Sequence, residues 1–94
     1  MTWSVIYHHS VEEDLENIGP SVARRIVGAI DKKLTQQPLQ FGAPLAGGLG
    51  GFRKLRVGDY RVVYLVHEKK VVVYVLAVGP RRDNEVYRLA LKRK

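Results

Sequence analysis

At 94 residues and a formal net charge of +7, the chain is long enough for one domain that buries roughly 60 to 65 per cent of its unfolded surface, and too short for two. It has no cysteine, which excludes a disulfide framework, a thiol nucleophile and a thiolate metal site and makes an intracellular compartment the expectation. The longest apolar run, Val71 to Val78, is far below the roughly 20 residues of a membrane-spanning helix, and the N-terminus lacks a signal pattern, so a soluble cytoplasmic protein with no membrane role is expected.

Thr2 to His8 alternates, Trp3, Val5 and Tyr7 facing one way, as a half-buried first strand would. Ser10 and Glu13 have the spacing of a capping box, and the short helix they open should stop near Gly19. Pro20 suits the first position of a second helix, where no N–H is needed. Val22, Ile26, Ile30 and Leu34 recur every four residues and give that helix one apolar stripe, ending before Pro38. Gln40 to Gly51 is too rich in Gly, Pro and Ala for a regular element and reads as a loop. Its GGLGG is no phosphate-binding loop, lacking the GK[ST] ending and the strand-to-helix setting.

Three strands follow, Arg53 to Val57, Tyr60 to His67 and Val71 to Val78, joined by hairpin-length connections at Gly58-Asp59 and Glu68-Lys69-Lys70. A terminal helix over about Asp83 to Leu91 has too few apolar residues to belong to the core. The fold class is therefore α+β in a single domain: strand, helix, helix, then a three-stranded antiparallel meander and a short C-terminal helix. A helix hairpin covers only one face of such a four-stranded sheet, leaving the other partly open. Val62, Tyr64 and Val66 are core material, and Arg61 points to the opposite side with Val63 and Leu65.

The charge is unevenly spread. Residues 1 to 52 carry four Lys/Arg against five Asp/Glu, residues 53 to 94 twelve against four. A basic half-domain favours polyanions, nucleic acid before an acidic protein or an anionic membrane. His8, His9 and His67 fit neither a metal spacing nor a nucleophile-base pairing, and Asp59 and Asp83 sit where a turn or helix start explains an aspartate. The remaining candidates are Arg53, Lys54, Arg56, Arg61, Arg81, Arg82 and Tyr87. RNA cleavage needs a 2′-hydroxyl to lose a proton, a phosphorane to be stabilised and a leaving oxygen to be protonated. Arginine suits the middle task, and lysine or tyrosine the proton transfers where surrounding positive charge lowers their pKa. Such a site needs no metal and no cofactor.

The segment KLRVGDYRVVYLVHEKKVVVYVLAVGPRRDNEVYR, Lys54 to Arg88, resembles the RelE branch of the RelE/ParE toxin superfamily, and weaker similarity of element order extends over nearly all of the chain. The more discriminating part is Arg81 with Tyr87. The resemblance implies that residues 1–94 form one RelE-like toxin domain of a type II toxin-antitoxin system, which enters the A site of a 70S-type ribosome and cleaves the mRNA there. It implies Lys54, Arg61, Arg81 and Tyr87 as the residues around the scissile phosphate, and Arg56 and Arg82 as phosphate-binding residues. Where the family often has a lysine two residues before Lys54 this chain has Phe52, and Arg53 takes its place only through a shift or bulge of the strand. A cognate RelB-like antitoxin in a hetero-oligomeric complex is the implied partner. The competing readings are a ParE-like toxin that inhibits DNA gyrase and catalyses nothing, and a non-toxic basic RNA-binding module.

Overall fold

The computed structural model describes residues 2–94. A first strand, β1 (Ser4–Tyr7), leads into helices α1 (Val11–Ile18) and α2 (Pro20–Ala29), and α2 continues into a π-helical turn, Ile30–Leu34. Then come a two-residue strand β2 (Ala43–Pro44), the meander β3 (Phe52–Val57), β4 (Tyr60–His67) and β5 (Val72–Pro80), and helix α3 (Glu85–Arg93). The expected order holds, with one addition. The sheet has five strands in the order β1-β5-β4-β3-β2, not four, because the loop read over Gln40 to Gly51 pairs Ala43 with Lys54 and Pro44 with Arg53. Pro44 is compatible with this position because β2 is an edge strand.

β1 lies parallel to β5, and β3, β4 and β5 run antiparallel, as expected of the meander. Val71 drops out of the last strand: it takes a left-handed φ of 55° to close the 3-10 turn at Glu68–Lys70. Between β4 and β5 the ladder skips a residue, Val63 opposing Ala77 and Tyr64 opposing Val75, so Leu76 bulges.

The apolar stripe of α2 does what its spacing demands. Ile26, Ile30 and Leu34 are buried with Val11, Leu55, Val62, Tyr64, Val73, Val75 and Val78, so the helix hairpin covers one face of the sheet. The opposite face is only half open. Val86 and Ala90 of α3 are fully buried against Val63, Leu76, Ala77 and Leu49, which corrects the expectation that the last helix stands outside the core. Two apolar residues suffice because the strand beneath is small: a Cβ on Gly79 would lie 3.3 Å from the Cβ of Val86.

The capping box does not form. Ser10 sits at the N-cap of α1 with helical angles and no side-chain capping bond, and its N–H donates instead to His8 Nδ1 at 3.1 Å. What fixes α1 is Asp14, which is almost fully buried. Its Oδ2 accepts the Val78 N–H at 3.1 Å, and its two oxygens take Arg93 Nη1 and Nη2 at 2.6 and 2.8 Å. Arg93 Nη1 also donates to the Leu76 carbonyl at 3.1 Å. These side chains occupy the edge of β5 beyond the last residue of β1, satisfying backbone groups that a longer first strand would have taken.

Candidate nucleic-acid interface

Strand alternation sorts the basic residues. Lys54 lies opposite Val63 and Arg56 opposite Arg61, so these three cations share the sheet face that α3 only partly covers. After β5 the Arg81 N–H donates to the Asp59 carbonyl at 2.9 Å, tying the chain to the β3–β4 turn. Asp83 and Asn84 then adopt left-handed angles, φ 53° and 55°, and reverse the chain into α3. Asp and Asn are the non-glycine residues that best tolerate this conformation.

The result is an open pocket of about 430 Å³ lined by Gly42, Ala43, Lys54, Leu55, Arg56, Arg61 and Arg81. Four of the residues singled out in the sequence meet there, and no carboxylate is among the lining residues. Arg82 lies in an adjoining depression of about 360 Å³ with Asp59, Tyr60, Pro80 and, again, Arg81. Arg81 thus faces both. Such a cluster of guanidinium forks beside one ammonium has the chemistry to hold phosphate oxygens in pairs. Arg56 is also steadied by its own turn, its Nε donating to the Gly58 carbonyl at 3.1 Å.

Two candidates stand elsewhere. Arg53 does not replace the missing lysine at Phe52, because β3 pairs with β4 without any shift and Arg53 opposes Tyr64 on the face of the helix hairpin. There its Nη2 donates to the carbonyls of Leu39 and Gly42 at 3.1 and 3.3 Å, while Phe52 packs towards α3. Tyr87 touches the site through its ring alone. The Arg61 guanidinium carbon lies 5.2 Å from the ring centroid, and the Tyr87 hydroxyl is buried without a hydrogen-bond partner. Tyr87 lines a separate depression with Leu45, Leu49 and Leu91 and is not among the residues lining the basic pocket.

The Asp14–Arg93 pair and the role of Arg53 were missed by sequence reasoning. An aspartate in an acidic first turn reads as a solvated, dipole-favoured residue, and its partner is 79 residues away. Among the described residues no group of three His, Asp or Glu side chains has the arrangement of a metal site, and no helix is long and apolar enough to cross a membrane.

Residues 5–85 match the family model described as ParE toxin of type II toxin-antitoxin system, parDE. Toxin RelG of Mycobacterium tuberculosis is 30% identical over 88 residues, which is 94% of this chain and 99% of that protein. The chain belongs to the RelE/ParE superfamily of type II toxins. In structure this toxin domain is similar to the toxin-antitoxin complex RelBE2 of M. tuberculosis, with a TM-score of 0.81 and 28% identity over 88% of this chain and 95% of that one. A shorter stretch is closer in sequence to the mRNA interferase toxin RelE of Escherichia coli: 55% identical over 40 residues, 43% of this chain and 42% of that toxin.

Proposed function

We propose that this toxin is a ribosome-dependent mRNA endonuclease that cleaves in the A site by attack of a 2′-hydroxyl on the adjacent phosphate, without metal or cofactor. The observation that carries the reading is the convergence of Lys54, Arg56, Arg61 and Arg81 on one open pocket with no acidic lining residue. Arg61 and Arg81 stabilise the charge that builds on the phosphorane, and Arg56 and Arg82 hold neighbouring phosphates. Lys54 is the one lining side chain suited to proton transfer, since arginine does not give up its proton. Tyr87 serves by holding the Arg61 guanidinium with its ring.

A single proton-transfer group is too few for a base and an acid, so the second transfer falls to solvent or to ribosomal RNA. This makes the ribosome part of the active site and places the reaction in the cytoplasm. Product is released with a 2′,3′-cyclic phosphate on one fragment and a 5′-hydroxyl on the other. A cognate RelB-like antitoxin with an acidic, partly disordered segment covers the basic face and forms the inactive hetero-oligomer.

The second reading, a ParE-like inhibitor of DNA gyrase, is favoured by the family model that spans residues 5–85. One set of assays separates the two: purified toxin with mRNA on programmed ribosomes, with the same RNA free, and with gyrase and relaxed plasmid. Cleavage of ribosome-bound mRNA alone is expected. Equal cleavage of free RNA overturns the ribosome dependence, and blocked supercoiling with intact mRNA establishes the gyrase reading.

A further inference from the structure

Arg53 and Tyr64 lie on the face of the sheet opposite the basic pocket, yet both reach the loop that walls it. Tyr64 is fully buried on β4, and its hydroxyl donates its one proton between the carbonyls of Pro38 and Phe41, at 2.8 and 2.7 Å. Arg53, directly opposite on β3, donates Nη2 to the carbonyls of Leu39 and Gly42. Four carbonyls within five residues of irregular chain thus receive donors from two adjacent side chains. The Nε of Arg53 is left buried without a partner, an arrangement that is costly unless the Nη2 bonds offset it.

The loop they hold ends at the pocket. Gly42 has a φ of +76°, and a Cβ there would collide with the Tyr64 hydroxyl and the Lys54 carbonyl oxygen. Ala43 pairs with Lys54 in the ladder, and Gly42 and Ala43 both line the pocket beside it. The loop therefore passes around the sheet edge from the helix-covered face to the open one, pressed against the backbone of Lys54.

We propose that Arg53 and Tyr64 are positioning residues: they clamp the Pro38–Gly42 loop from behind the sheet and so set the pocket wall at Gly42 and Ala43 and the placement of Lys54. A two-residue edge strand has too few ladder bonds to hold this wall by itself. In rate terms the proposal rests on the ribonuclease reading above; in structural terms it does not.

The test uses the whole chain with Arg53→Ala, Arg53→Lys and Tyr64→Phe. Amide hydrogen exchange across residues 39–44, single-turnover cleavage of ribosome-bound mRNA, and ribosome affinity against salt are measured on each. Arg53→Ala and Tyr64→Phe should speed exchange in this segment about tenfold or more and slow cleavage to a similar degree. Ribosome affinity and its salt slope should stay unchanged, and Arg53→Lys should restore part of the loss. If Arg53→Ala fails to fold, Tyr64→Phe, which keeps the ring, carries the same readings.

The proposal is overturned by unchanged exchange in the loop, by normal cleavage despite a loosened loop, or by weaker ribosome binding with a shallower salt slope. The last result marks Arg53 as a direct phosphate contact. Should the unsubstituted chain cleave nothing, the ribonuclease reading falls, and the exchange measurement decides the clamp by itself.

Discussion

The guanidinium of Arg61 rests on the ring of Tyr87, its central carbon 5.2 Å from the centroid, while the hydroxyl of that tyrosine is buried with nothing to bond to. The two residues therefore meet face to cation. Tyr87→Phe keeps the ring and removes an unsatisfied group, so the variant should melt no earlier than the parent and cleave within about threefold of its rate. Tyr87→Ala should lose both stability and rate, because Arg61 loses its platform. A large loss of single-turnover rate in Tyr87→Phe at unchanged melting temperature would return the hydroxyl to proton transfer.

Arg81 faces both depressions and stands where charge develops in the proposed reaction. Arg81→Ala should slow single-turnover cleavage on the ribosome by about a hundredfold or more, the effect of losing a donor worth about 2.7 to 4 kcal/mol in the transition state. Ribosome affinity should fall only slightly, since Lys54, Arg56, Arg61 and Arg82 share the electrostatic contact. Equal losses in rate and affinity would make Arg81 a binding residue alone.

The Asp14–Arg93 fork joins the first helix to the last and satisfies two backbone groups at the edge of β5. Asp14→Ala leaves a partly buried guanidinium and the Val78 N–H without their acceptor. The expected cost is about 3 kcal/mol or more, read as a shift in the urea midpoint. Asp14→Leu combined with Arg93→Met should recover part of that loss, and a double variant as unstable as the sum of the singles would show that the pair is not coupled.

His8 accepts the Ser10 N–H through Nδ1, and partial burial, followed by the neighbouring His9 and Arg93, holds its imidazole below the ordinary range, Asp14 acting in the opposite sense. The unfolded chain therefore takes up the proton more readily than the folded one. Stability from this group is complete above about pH 6.5 and is lost as pH falls through the lower folded value. The melting temperature should drop between pH 7 and 5, and less steeply in His8→Asn, whose Oδ1 offers the same acceptor without titrating. Parallel curves for parent and variant would remove His8 from the account.

Legibility in the sequence tracked how local each interaction is. Tyr60 to His67 was readable to its end residues because an unbroken strand-forming run lies between two turn signals. The stripe of α2 was readable for the same reason. The grouping of Lys54, Arg56, Arg61 and Arg81 came from the family resemblance; the fold supplies its physical reason, since alternation on paired strands puts three of them on one face and the turn after the last strand adds the fourth. Whether β3 carries a shift or bulge that would turn Arg53 to the face of Lys54 was not legible locally, nor were the distant loop carbonyls that Arg53 binds. The depth of α3 was hidden because its burial depends on the smallness of Ala77 and Gly79 beneath it, not on its own apolar content.

The extra residue at Leu76 divides β5 into two stretches of opposite parity. Before it, odd-numbered Val73 and Val75 face the helix hairpin; after it, even-numbered Val78 does, and odd-numbered Gly79 turns to α3. Arg81 inherits the later phase. Were Leu76 held in the ladder instead of bulging, the same arginine would emerge on the side of the helices and away from Lys54. Deleting Leu76 would instead join Val75 directly to Ala77, keep them paired with Tyr64 and Val63 as they are, and leave Arg81 on its present face, so it is the bulge that reconciles the extra residue with the position of this arginine.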